Sequence, residues 1–529
     1  MIRKLTYFFT IGLLSAFSLQ AQLTVNGAQL FIQSGAVITV QGDVTGTADI
    51  LGPGKILLQG SANQNVNMNG FTIPVLEINN AAGATLTGNT RIGTSLTFTN
   101  GKIKTANFNL TLANVATFSG AGTSKFIETA GTGQVFKELT ANVSANEIPV
   151  GAGTSYRPAF LTTTGTYSSA KIGVRVLAVS DPNKPPKISD YTTAYWPITK
   201  TGITGTVTVA GKYINAADVS GTETNLRGYY FNGADWSSTS ETHNTATDQI
   251  SAPITAASGS LTALDKFDLL KAKVFLQGAY NTSTGVMSDA LRTPTNLIPL
   301  SDPYRTAPYS TQFTHVANSI AEVAAGSVFG NQASTDDNIV DWVFLELRNT
   351  TVSPGNTVLQ TRSALVQRDG DIVDIDGTSP VTFNNVASAN YTIAIRHRNH
   401  LGLSSNPATF KPPLGETKST VSLVDFTTAT DANLYGTSAA YVNTGGKNLM
   451  WGGDANGNVQ SKYQGPSNDR AAVLSVLLNN ELNTKNGYER SDLNLNGQVK
   501  YQGPSNDIAF LLSVLSNGEL LVRTQELPN

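Results

Sequence analysis

A mainly β, multidomain architecture is predicted by three features of this 529-residue chain. Charge is sparse, apolar triplets and quartets recur at short intervals, and alternating stretches meet at Asn-Gly turns. Charged residues make up 14% of the chain, against roughly 25% in average soluble domains. Ser, Thr, Asn and Gly take their place, a mixture that supplies turns and short strands. Long helices would instead carry Lys and Glu on their exposed faces. The length exceeds one ordinary core, so roughly three to five domains are expected.

The balance of charge narrows the function. A formal net charge of −2 provides no basic field to draw in nucleic acid by counterion release, so that class of partner is set aside. Cysteine is absent, which removes zinc-thiolate sites, thiol catalysis and disulfides, and fits a bacterial envelope protein better than a secreted eukaryotic one. At the N-terminus, Arg3 and Lys4 precede a mainly apolar run from Leu5 to Leu19, and Leu19-Gln20-Ala21 presents small or polar residues before Gln22. This reads as a secretory signal peptide over residues 1–21, cut after Ala21. The alternative is a membrane anchor, but Thr10, Ser15 and Ser18 interrupt a run already short for a span of about 20 residues. No later stretch approaches that length, so no transmembrane segment is expected after removal of the signal.

Residues 22–139 form a succession of short apolar segments separated by Gly, Asn, Thr and Ser, among them Val37-Ile38-Thr39-Val40, Ile56-Leu57-Leu58, Leu96-Thr97-Phe98 and Leu110-Thr111-Leu112. Such spacing predicts stacked rungs of a β-solenoid with Asn side chains laddering at the corners. A pair of sandwiches is the alternative, because the period is irregular. The stretch resembles the Gly/Asn/Thr-rich solenoids of secreted bacterial adhesin-like proteins.

Residues 140–270 read as a β-sandwich, with an alternating strand from Ala170 to Val176 and Tyr229-Tyr230-Phe231-Asn232-Gly233 running into a turn. Residues 271–407 read as a second, Ig-like sandwich. It opens at Lys273-Val274-Phe275-Leu276, continues through Asp341 to Arg348 as a half-buried strand, and closes on Tyr391 to Arg398. These stretches resemble a haemagglutinin-like module of secreted proteins from Gram-negative bacteria, which implies an extracellular or outer-surface location and a modular adhesin rather than an activity. Residues 408–450 form a linker or edge segment.

Residues 451–529 carry a duplication. Lys462-Tyr463-Gln464-Gly465-Pro466-Ser467-Asn468-Asp469 recurs, 38 residues later, as Lys500-Tyr501-Gln502-Gly503-Pro504-Ser505-Asn506-Asp507. Each copy runs into an apolar segment suited to a helix, Ala471 to Leu478 and Ala509 to Leu515, with Pro expected at an early helical position and Ser, Asn and Asp available as caps. Upstream stand spaced oxygen donors: Asp454, Asn456 and Asn458 in the first copy, Asp492, Asn494 and Asn496 in the second, the latter followed by Gly497. This is the opening of a calcium loop, in which alternate residues turn oxygens toward one centre and Gly permits the sharp turn. Two tandem loop-helix units resemble a dockerin, a resemblance that implies calcium and a cohesin-like or other surface-protein partner.

Two departures from that pattern are evident. Position 12 of each loop is Gly465 or Gly503, with the nearest acids, Asp469 and Asp507, four residues late; and Val459 stands where the first loop needs Gly. Calcium affinity is therefore expected to be modest, of the extracellular class. A metal-free Asx-rich turn before a capped helix is the alternative, and packing of the helices on their own chain is the alternative to docking on a partner.

Other constellations read as structural. His397 and His400 are expected at a solvated strand end, facing opposite sides. Asp369, Asp371, Asp374 and Asp376 lie near Gly370 and Gly377 and fit hairpin turns, though two of them could in principle serve a glycosidase. No nucleophile elbow, zinc-protease, phosphate-loop or dinucleotide motif is present, so no catalytic residue is assigned and a non-enzyme is expected. Trp196, Tyr229, Tyr230, Trp236 and Trp451 are expected in cores rather than on sugars. Adhesion or scaffolding at the cell surface, with attachment through the repeat, is the leading expectation. A carbohydrate-binding accessory protein and an extracellular glycoside hydrolase are the rivals.

Overall fold

The computed structural model describes residues 21–129, 131–238, 243–350, 356–386, 389–415 and 417–528. The signal-peptide segment, apart from Ala21, lies outside them. The protein is mainly β, with an N-terminal solenoid of about six turns and few helices. Among the described residues no helix is long and apolar enough to cross a membrane. The segments read from the sequence fall into two compact units. One holds residues up to Pro182 with Tyr191–Gly233 and Ser238–Ala263; the other holds Asn183–Asp190, Ala234–Ser237 and Leu264–Asn529.

In the first unit the short apolar segments stack as parallel rungs. Leu23 pairs with Val44, Val44 with Val66, Gln64 with Ala84, Ala84 with Ile103, Ile103 with Ile127 and Ile127 with Val150. A second ladder sets Ile38 beside Ile56, Ile56 beside Leu76, and Leu76 beside Leu96. Because side chains alternate between faces, one residue in two points inward. Val44 and Val66 in the first ladder, and Ile56, Leu76 and Leu96 in the second, thereby stack as two buried columns. The corners carry the expected polar ladder: Asp43 accepts from the Asn65 amide at 2.8 Å, Asn89 from the Asn109 amide at 2.9 Å, and Asn109 from the Gln134 amide at 3.0 Å. These bonds satisfy backbone donors that leave the strands where the chain turns. Gly52, at φ +90°, shows why corners select glycine, since a Cβ there would stand 2.2 Å from the Ile32 carbonyl oxygen.

The stack does not end at residue 139. Val135–Leu139, the last parallel strand of the second ladder, pairs antiparallel with the long strand Ala159–Val174, which pairs in turn with Trp196–Lys212. One hydrophobic core therefore runs from Val25 to Ala263. A buried bidentate pair fixes the handover: Arg157 donates to both Asp218 oxygens, at 2.8 and 2.7 Å.

The second unit is built on a sheet ordered Val381–Asn384, Phe267–Lys273, Asp371–Val373, Val358–Gln367, Ile339–Arg348, Thr392–Arg396 and Leu403–Ser404, with Leu423–Asp425 added parallel to Phe267–Lys273. Ile339–Arg348, expected to be half-buried, is buried on both faces from Ile339 to Leu347. It lies between two antiparallel neighbours, and Tyr304 and Phe313 pack against Phe344. Alternation disappears when both faces of a strand are covered. The five aromatics weighed as sugar platforms are all buried.

Candidate metal centre

The repeat folds as the duplication implies, with its helices at Asp469–Val476 and Asp507–Val514. Asn468 and Asn506 are the N-caps, accepting from the Ala471 and Ala509 amides at 2.8 and 2.7 Å. Pro466 and Pro504 lie in the turn ahead of the helix rather than inside it. The two copies are interlaced. The strand after the first helix, Thr484–Asn486, pairs with the second loop at Gln498–Lys500, while the strand after the second helix, Val522–Thr524, pairs with the first loop at Gln460–Lys462. Gln464 reciprocally reaches Glu519, and Gln502 reaches Glu481 at 2.8 Å.

Each loop brings its two acids together. Asp454 accepts from the amides of Gly457, Asn458 and Val459, at 2.7, 3.0 and 3.1 Å. Asp469, the first helical residue, reaches back to accept from Ala455, Asn456 and Lys462 at 2.7, 3.2 and 2.7 Å. The second copy repeats this. Asp492 accepts from Asn496 and Gly497, and Asp507 from Leu493, Asn494 and Lys500. The four extra residues that displace the acid in sequence are absorbed by a turn in which Gly465 and Ser467, like Gly503 and Ser505, take positive φ. Asn456 and Asn458 both donate to the Ser467 carbonyl, and Asn494 and Asn496 to that of Ser505, drawing the loop onto the helix start.

Burial raises Asp454 and Asp492 to about 6. Burial and then the neighbouring Asp454 charge raise Asp469 to about 8; burial and the Asp492 charge raise Asp507 to about 7. Two carboxylates that disfavour each other's ionisation are what a dication would neutralise. The Asn494 side-chain oxygen is buried without a hydrogen-bond partner, and a cleft of about 360 Å³ lies over this loop, lined by Asn494, Asn496, Ser505, Asn506, Ala509 and Phe510. The oxygen-only donor set fits a hard cation such as calcium. Asp454, Asn456, Asn458 and Asp469 would hold one ion, and Asp492, Asn494, Asn496 and Asp507 the other. Among the described residues no cluster of three or more His, Cys, Asp or Glu forms a metal site, so each site would rest on two carboxylates completed by amide and carbonyl oxygens.

The segment between the copies is seated on the sheet through a buried charge cluster. Asp341 accepts from the Tyr488 hydroxyl at 2.6 Å and from Arg398 at 2.9 Å, and faces His397 Nε2 at 3.1 Å. Asn399 donates to the carbonyls of Arg490 and Asp492 at 2.9 and 2.7 Å. The histidines are therefore not at a solvated strand end. Both are buried, with their Nδ1 atoms 3.0 Å apart. His400 Nε2 accepts from the Gly278 amide at 3.0 Å, which places its proton on Nδ1, toward Asn399 and His397. Burial lowers both histidine pKa values, so the pair is held neutral with its ring nitrogens occupied. The sequence carried no signal for this, because the partners that hold the pair, Asp341 and Gly278, are 56 and 122 positions away.

The four acids near Gly370 have local partners. Asp369 and Asp371 pair with Lys273 at 3.1 and 3.2 Å, Asp374 is buried against Arg362 at 2.7 Å, and Asp376 caps the amides of Thr378 and Ser379. Comparison with protein-family models, with characterised proteins and with solved structures finds no match for this chain.

Proposed function

We propose that this is a secreted or cell-surface adhesion and scaffolding protein whose C-terminal repeat binds calcium and attaches to a partner protein. The observation that carries the reading is the pair of like loops, each closing two buried carboxylates over a helix start. Calcium would neutralise those acids and lock the interlaced copies, and the charge cluster under Tyr488 would pass that order to the β unit. The partner surface is assigned to the chain just beyond each helix, where Leu478, Leu482 and Leu520 are 83%, 82% and 85% exposed. Leu482 and Leu520 are equivalent positions of the two copies. The recurrence of an exposed leucine at the same position of both copies supports this assignment.

The test is retention at the surface of cells that export the chain. A chelator should release the intact protein into the medium, and Leu482→Asp with Leu520→Asp should do so with calcium present. Retention unchanged by chelator and by both substitutions would show that attachment does not run through the repeat.

A further inference from the structure

A cavity of about 640 Å³ lies in the second unit beside the edge strand Val381–Asn384, within the range of about 300–1,000 Å³ usual for small-molecule sites. Four side-chain amides line it, and all four turn their NH2 groups into the protein. Asn318 donates to Glu322 at 2.7 Å and to the Thr361 carbonyl at 3.0 Å, Gln360 to the Ala317 carbonyl at 3.2 Å, Asn384 to the Lys187 carbonyl, and Asn385 to Asp265 at 3.3 Å. These bonds fix which way each amide points. They leave the Gln360 and Asn384 oxygens buried with no hydrogen-bond partner, Gln360 being only 9% exposed. Such acceptors are costly unless something donates to them.

The cavity's cations are already committed. Arg362 donates to Glu322 at 3.1 Å and to Asp374 at 2.7 Å, and Lys187 donates to the Ile320 carbonyl at 2.8 Å and lies 3.8 Å from Glu322. Arg305 pairs with Asp302 and Glu322, so each of these three cations already has a carboxylate partner. Ile320 and Leu359 form an exposed apolar rim, and Tyr391 is among the wall residues.

We propose that this cavity binds the end of a neutral glycan, whose hydroxyls donate to Gln360 and Asn384 while a C–H face rests on Ile320 and Leu359. A site that offers buried acceptors and has its cations paired selects a neutral, hydroxyl-rich ligand. The inference stands on this cavity alone and not on calcium in the repeat.

The experiment is an array of neutral oligohexoses, N-acetylglucosamine oligomers, glucosamine oligomers and uronic acid oligomers, probed with the full chain in calcium and in chelator. Neutral members should bind, with charged members about tenfold weaker or worse, and Gln360→Leu or Asn384→Leu should each cost about tenfold. Ile320→Asp, at an exposed rim position, should weaken binding with the fold intact. Binding should persist in chelator. A silent array, a preference for charged glycans, binding indifferent to all three substitutions, or binding lost on chelation would overturn the proposal.

Discussion

The two copies of the repeat share a backbone and differ in where they place their one awkward residue. Both loops take positive φ at the same two positions. The first copy has Gly457 and then Val459 there, at +76° and +62°; the second has Leu495 and then Gly497, at +56° and +81°. Each copy thus keeps one glycine and forces one bulky side chain into the left-handed region, at a cost of about 1–2 kcal/mol. The return differs. Leu495 is buried in the core of the second unit, whereas Val459 is only half-buried. Leu495 recovers its strain through apolar burial and Val459 does not. Asn399 holds both loops to the sheet, donating to the Asp492 carbonyl at 2.7 Å and accepting from the Asp454 amide at 3.2 Å, while the Tyr488 cluster adds to the hold on the second. The duplication has produced one well-supported loop and one strained one, so the second should bind calcium more tightly.

The comparison breaks most severely at its anchor. Asp341→Ala leaves the Arg398 guanidinium buried and unpaired, and should destabilise the second unit by about 3–5 kcal/mol in denaturant titration. It should also weaken the second calcium site more than the first. The same pairing predicts a pH dependence. Despite burial, the Arg398 charge and the His397 and Tyr488 hydrogen bonds hold the Asp341 pKa well below its usual value. Its stabilising contribution is therefore present above the ordinary carboxylate pKa and is lost as pH falls below about 4. Acid unfolding of the wild type should show this loss, and Asp341→Asn should flatten it.

Next in size is Gly457→Val. A Cβ at Gly457 would stand 1.8 Å from Arg490 Nη1, and the residue is also left-handed, so the loss should be about 2 kcal/mol, read as a lowered melting temperature. Smaller and opposite in sign is Val459→Gly. Relief of strain less the added chain entropy should leave a gain of up to about 1 kcal/mol, together with a tighter first site. Comparable in size, and equal in the two copies, should be Asn468→Ala and Asn506→Ala, at about 1 kcal/mol each for a lost N-cap. Markedly unequal cap losses would mean that the helices are supported differently as well as the loops.

The sequence made the solenoid legible because a rung is a local pattern. Short alternating apolar segments such as Val37–Val40 and Lys55–Leu58, with Gly and Asn between them, each report their own strand. The repeat was legible because identity at a fixed offset needs no knowledge of the fold. What escaped depends on contacts distant in the chain. Asp469 and Asp507 looked misplaced for a loop, and only the turn through Gly465 and Ser467, and its equivalent at Gly503 and Ser505, carries them back. His397 and His400 alternate as a strand end should, yet both are buried, held by Asp341 and the Gly278 amide. The continuation of the solenoid core past residue 139 was equally hidden, since antiparallel strands read alike whether they extend a stack or begin a new one. The amide-lined cavity draws residues from between 186 and 391, and no local signal unites them.

Calorimetric titration of calcium into the full chain, alongside Asp454→Asn and Asp492→Asn, tests the central claim most directly. Two saturable sites of millimolar or tighter affinity are predicted, the tighter one abolished by Asp492→Asn and the weaker one by Asp454→Asn. No heat and no rise in melting temperature at about 10 mM calcium, beyond the weakest extracellular calcium modules, would contradict the account and leave the paired loops as metal-free caps on their helices.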